Sequence, residues 1–292
     1  MPTSGTLLCL ASAAAFGAMG VFGRLAYDDG ATVGTLLAVR FVLAAAVCWV
    51  LVLARGDLRS LDRRDVLGAL ALGAVAYAAQ AGSYFAALER IDPSLLALLV
   101  YTFPAIVAVA AVALGRERMD RNRLAALALV SAGLVLVLAA AGIGEQDTLG
   151  TALGLGAAFV YSGYVLVSEG IAGRMAPRVL AALVCTGAAV SLTAGSLALG
   201  ELRPGELAIA GWGWLACLAV VSTVVAIGLF FAGLRRVGPT TAAILSTVEP
   251  VVTVVLVMAV FGDVLATAQL LGGALVLGGV LVLRGRPATA AA

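Results

Sequence analysis

YFAALERIDP at residues 84–93 returns 146 positions later as FFAGLRRVGP at 230–239, with five of the ten positions identical. The displacement is half of the 292-residue chain. The alignment extends without a gap over 84–138 and 230–284, where 15 of 55 pairs match. Pro93 falls on Pro239, Pro104 on Pro250 and Gly133 on Gly279, while Glu117 meets Asp263. Ala, Leu and Val are abundant, so some matches are chance. The two prolines, spaced alike in both copies, are not. A repeat of this length sets the architecture before any short motif is weighed.

Composition supplies the medium. The chain is 63% hydrophobic and 12% charged, with a mean hydropathy of +1.12. Soluble domains carry roughly a quarter charged residues. Apolar runs fall at 5–23, 33–53, 66–88, 94–114, 123–141, 150–168, 179–199, 211–233, 240–261 and 265–283. Runs of about 20 residues cross a bilayer core of about 30 Å as helices, because lipid leaves no other partner for backbone groups. The expected fold is therefore an all-α membrane protein of ten transmembrane helices. Residues 1–146 form a first five-helix repeat, 147–286 a second, and 287–292 a short tail.

Five spans per half is an odd number, so the second copy enters the membrane inverted relative to the first. Arginine placement agrees. All 18 basic residues are Arg. With a cytoplasmic N-terminus, fourteen fall on the cytoplasmic side, in the groups Arg55–Arg64, Arg116–Arg123, Arg174–Arg178, Arg235–Arg236 and Arg284–Arg286. Only Arg24, Arg90 and Arg203 fall opposite. This positive-inside bias puts both termini in the cytoplasm. The segment Met1–Gly5 has no basic residue, which argues against a secretory signal. Inverted repeats around a central cavity are a recurring plan of secondary transporters, because two near-equal halves exchange conformations.

Whole classes of chemistry are excluded. Without histidine or lysine there is no Ser-His or Cys-His machinery, no Walker phosphate loop and no Schiff base. The expectation is no enzyme, no cofactor, no metal and no nucleic-acid partner. The four cysteines lie inside spans with no CxxC pair and read as small buried residues.

Polar residues at membrane depth carry the functional reading. Arg40 lies about eight residues into the second span and Glu249 about ten into the ninth, roughly 12–15 Å deep at 1.5 Å per residue. Buried arginine costs about 2.5–3.5 kcal/mol on insertion scales and needs a partner. A structural Arg–Glu pair, Arg40 capping loose carbonyls, and a place on the substrate path each satisfy that need. Polar stripes at i, i+3, i+7 share one helix face: Tyr77, Gln80 and Tyr84; Tyr161, Tyr164 and Ser168; Ser246, Glu249 and Thr253. Tyr101 joins them in the fourth span, and Pro104 and Pro250 mark kinks. Together they outline an aromatic-walled central cavity suited to small amphipathic solutes. Glycine pairs mark close helix approach, and those of the last span suit a contact between two copies of the chain.

The ordered set of ten spans in two halves, Arg40–Phe41 in the second, prolines in the fourth and ninth and the acid of Gly115–Arg–Glu117 resembles the EamA-type branch of the drug/metabolite transporter superfamily. The resemblance covers residues 5–284. It implies a basket-like bundle that moves small metabolites such as amino acids across the bacterial cell membrane, with Arg40, Glu249, Pro250 and the aromatic positions of helices three, four and six functional. Asp263 stands where the family usually has Glu. The expected function is export by alternating access, with a small-molecule substrate and lipid contact, Glu249 coupling a proton or contacting an amine, and Arg40 neutralising it or binding a carboxylate. Efflux of cationic compounds and a non-transporting, lipid-facing role are the alternatives.

Overall fold

A computed structural model describes residues 3–56, 62–88, 90–91, 93–139, 147–262 and 267–284; Asp263 and the tail 287–292 lie outside the described residues. Among the described residues every regular element is helical. The chain runs through α1 (Thr3–Gly17), α2 (Met19–Asp28), α3 (Val33–Arg55), α4 (Arg63–Ala71), α5 (Ala78–Leu88), α6 (Pro93–Val100), α7 (Phe103–Ala113) and α8 (Arg121–Ala139). It continues through α9 (Thr148–Ala172), α10 (Pro177–Ala198), α11 (Ile209–Ala219), α12 (Ala226–Val237), α13 (Pro239–Ser246), α14 (Val248–Phe261) and α15 (Thr267–Arg284). Eight described helical stretches are long and apolar enough to cross a membrane. The outward faces carry Val50, Val75, Val109, Phe159 and Val190, all more than half exposed, as a lipid-facing surface requires.

Several spans are built from two helices. The stretch of α6 and α7 breaks at Tyr101–Thr102, just before Pro104, and that of α13 and α14 at Thr247, just before Pro250. Proline lacks an N–H and frees a carbonyl one turn back. Beside each break a threonine hydroxyl adds a second donor to a carbonyl that already accepts from the threonine's own N–H: Thr102 Oγ1 to Leu99 at 2.6 Å, and Thr247 Oγ1 to Ile244 at 2.5 Å. The stretches α4–α5 and α11–α12 are joined differently, by π-helical turns at Leu72–Tyr77 and Val220–Val225. Each widens the helix by one residue and leaves the backbone open to an incoming group. Nothing in the sequence announces these turns.

The packing partners repeat when the halves are exchanged. α3 lies along α10, and α8 along α15. α1 packs on α12 and on α13–α14; α9 packs on α5 and on α6–α7 in the corresponding places. Close approach rests on glycine. A Cβ on Gly133 would collide with the Gly272 carbonyl, and one on Gly279 with Val130 and the Ala126 carbonyl. Of the last span's glycines, Gly272 and Gly279 serve the α8–α15 crossing, Gly273 lies against Val251, and nothing lies within 4 Å of the Cβ position of Gly278. Gly150 and Gly154 likewise press on Ile91, Leu96 and Leu99 within the bundle.

The halves are tied together at both ends. At one, Thr32 Oγ1 donates to the Glu201 carbonyl (2.5 Å), the Arg203 N–H donates to Thr35 Oγ1 (2.8 Å) and the Ala208 N–H to the Asp29 carbonyl (3.0 Å). At the other the ties are charged. Arg174 makes a two-nitrogen contact with Asp65 at 2.7–3.0 Å, and this hydrogen bonding holds the Arg174 guanidinium above its ordinary pKa. Arg116 donates to the Leu166 carbonyl (2.7 Å). Glu117 is bonded by Arg123 (2.8 Å) and lies against Gly238 at the start of α13.

Candidate functional site

Between these two ends lies a cavity of about 290 Å³. Helices α1–α3, α5–α7, α9, α12 and α14 contribute to its wall, together with Tyr77 of the first π-turn. It reaches Leu37, Tyr84 and Ala97, each four residues from a helix terminus at the Glu201 end. On the side of the charged ties it stops at Tyr164 and Phe230.

Eight of the positions read from sequence meet here: Arg40, Tyr77, Gln80, Tyr84, Tyr101, Tyr161, Tyr164 and Glu249. Ser246 and Thr253 do not. Ser246 turns back along its helix and donates to the Ala242 carbonyl at 2.9 Å. Thr253 donates to the Gly17 carbonyl at 3.0 Å and so fastens α14 to α1. Their stripe is broken because hydroxyls in apolar surroundings take the nearest carbonyl. Ser168, likewise, is fully buried and bonded to the Val165 carbonyl. Pro104 and Pro250 are buried and sit at the helix breaks, with Glu249 one residue before the second.

The walls are aromatic rings that hold one another. Phe103 meets Tyr161 edge-on (4.7 Å between centroids), Tyr161 stacks on Tyr164 (6.0 Å, 13°), and Tyr164 leads to Phe231 and Phe230. Tyr77 is edge-on to Phe41 at 4.7 Å. Edge-to-face rings fix each other's orientation, so the cavity has a defined shape.

Two charged groups complete the lining. Arg40 is 3% exposed and is held by the eighth span. Its Nε donates to Thr223 Oγ1 (2.7 Å), one terminal nitrogen to the Ser222 carbonyl (3.3 Å) and the other to Met19 Sδ (3.0 Å). Glu249 makes no ion pair with Arg40, and its carboxylate has no hydrogen-bond partner among the described residues. Of the alternatives read from sequence, the structure shows no Arg–Glu pair; Arg40 caps the Ser222 carbonyl, with Thr223 and Met19 as its further partners. Among the described residues no cluster of His, Cys, Asp or Glu could hold a metal.

Phe16, Met19, Phe103 and Phe230 also line the cavity and were not singled out from sequence. For two of them the signal existed. Displacing Tyr84 by 146 gives Phe230, and displacing Glu249 back gives Phe103. Phe16 and Met19 flank the break between α1 and α2, which has no counterpart in α9.

The fold and the family are shared with known proteins. A solved crystal structure superposes with a TM-score of 0.82 over 97% of each chain at 21% identity, which establishes the shared fold. "Uncharacterized transporter YcbK" of Bacillus subtilis (strain 168) is 24% identical over 277 residues, covering 92% of this chain and 89% of its own. An "Uncharacterized transporter" of Archaeoglobus fulgidus is 30% identical over 196 residues, 65% of this chain and 67% of its own. The family model for EamA-like transporters matches twice, at 3–139 and 148–285. The chain is a multi-pass membrane transporter, not an enzyme, and belongs to the EamA-like transporter family of the drug/metabolite transporter superfamily.

Proposed function

We propose that this transporter exports small amphipathic metabolites, amino acids or close relatives, across a bacterial cytoplasmic membrane by alternating access. The observation that carries the reading is an acid and a base in one aromatic cavity, each lacking the other as partner. A zwitterionic solute supplies both missing charges: its carboxylate meets Arg40, its ammonium meets Glu249, and its apolar part lies against Tyr77, Tyr101, Phe103 and Tyr161. Once the solute has left, Glu249 is free to take a proton in its place, which provides the coupling.

In this reading the chain crosses the membrane ten times, α8 and α15 included, as two inverted five-helix halves with both termini cytoplasmic. Support comes from the arginine distribution, the exchangeable helix pairing and the paired π-turns. The cavity reaches toward the arginine-poor end and is stopped by aromatic rings and ion pairs at the arginine-rich end. That is an outward-facing state, and the equivalent contacts of the other half would close it.

Proteoliposome flux of the twenty amino acids tests this. Glu249→Gln and Arg40→Gln should each lower flux by at least tenfold while the protein remains monodisperse in detergent. Wild-type flux in both variants rejects the mechanism. Efflux of lipophilic cations is the second reading, favoured by the unpartnered Glu249 carboxylate among tyrosines. Dye resistance in cells, compared with amino-acid export, separates the two.

A further inference from the structure

Arg40 has five N–H donors, and three are already engaged with Thr223, Ser222 and Met19. One N–H remains on each terminal nitrogen, in a residue that lines the cavity. Two N–H groups at the end of a planar guanidinium match the two oxygens of a carboxylate. Which way that end points depends on the anchor at Nε. The anchor is Thr223, whose hydroxyl accepts from Nε at 2.7 Å and donates its own hydrogen to the Leu218 carbonyl, five residues back, at 3.0 Å. Five residues is the spacing that a π-turn opens, so the hydroxyl occupies the widened turn Val220–Val225 and presents a lone pair to the arginine.

The other half contains the control. Its π-turn, Leu72–Tyr77, is covered by α10 through direct backbone contact: a Cβ on Gly73 would collide with the Val184 carbonyl, and one on Gly187 with that of Leu70. The repeat displacement puts Thr186 and Gly187 opposite Arg40 and Phe41, and Tyr77 opposite Thr223. Covering a π-turn therefore requires only small residues. A buried arginine on the second one exceeds what packing demands, and it leaves one N–H on each terminal nitrogen of a residue that lines the cavity.

We infer that Thr223 is a specificity-determining positioning residue, which through the Val220–Val225 π-turn aims Arg40 at the carboxylate of the transported solute. This rests on the proposed function and deepens it: carboxylates are selected by a residue that does not itself line the cavity. Thr223 fixes the fork before the solute arrives, so its loss weakens binding and spares turnover of bound solute.

The test uses the full chain in proteoliposomes and, as probe, whichever of the twenty amino acids the wild type moves fastest. Thr223→Val keeps the shape and removes the acceptor; Thr223→Ser keeps the acceptor. Valine should raise KM about tenfold or more, the scale of a hydrogen bond to a charged group, with kcat held. Serine should restore the wild-type KM. An unchanged KM in the valine variant, or a fall in kcat at constant KM in both variants, overturns the inference. Absence of saturable flux for every amino acid in the wild type overturns the proposed function itself, and is seen before any variant is made. Should the valine variant fail to fold, the serine variant alone decides: its KM must match the wild type, and a tenfold rise overturns the inference.

Discussion

Arg40 and Glu249 share the wall of one cavity without touching each other. Arg40 donates to a hydroxyl, a carbonyl and a thioether, and the Glu249 carboxylate has no hydrogen-bond or ion-pair partner among the described residues. The acid therefore contributes little to holding the helices together.

Glu249→Gln should accordingly leave the melting temperature in detergent nearly unchanged. Breaking a buried ion pair would cost about 3–5 kcal/mol. A loss on that scale, read by thermal denaturation, would show that the acid is structural. An unchanged melt with lost flux is the expected combination.

Gly187→Ala should be severe. The added Cβ has no space between α10 and the Leu70 carbonyl, and overpacking of a tight contact costs about 1–3 kcal/mol. Gly156→Ala is the control, since nothing lies within 4 Å of its Cβ position. Melting temperatures of the two should differ clearly; equal values would refute the backbone contact.

Gly238→Ala meets two obstacles. The residue has φ +80°, where a side chain is strained by about 1–3 kcal/mol, and the Glu117 carboxylate occupies the space. Adding Glu117→Ala should recover only the steric part. Full recovery would mean that backbone strain is absent.

The Asp65–Arg174 tie joins the halves at the arginine-rich end. Asp65→Asn should speed opening there and so alter the transport rate more than the fold. The exchanged pair, Asp65→Arg with Arg174→Asp, should recover most of the wild-type rate at low salt. Because Arg174 is more than half exposed, the single-variant effect should shrink at high ionic strength. A salt-independent effect would exclude an electrostatic latch.

Much of this was legible in the chain because lipid imposes a simple rule: long apolar runs become helices. The repeat then told which helices correspond. Depth along a span located Arg40 and Glu249, and seven-residue stripes found Tyr77 to Tyr84 on one face. Stripes misled at Ser246 and Thr253, whose hydroxyls choose between a cavity and a neighbouring carbonyl on grounds of distance alone. The arginine's true partner was also hidden, because a π-turn at Val220–Val225 leaves no mark in hydropathy. Phe103 and Phe230 were one subtraction away, as the repeat images of Glu249 and Tyr84.

The π-turn between α11 and α12 also sets an angular phase. A single additional residue turns everything beyond it by about 100°. Winding Val220–Val225 into an ordinary α-helix with no residue removed would swing Ile227 and Phe230 away from the cavity they line. The chain would keep its spans, its composition and its charges, and lose its floor.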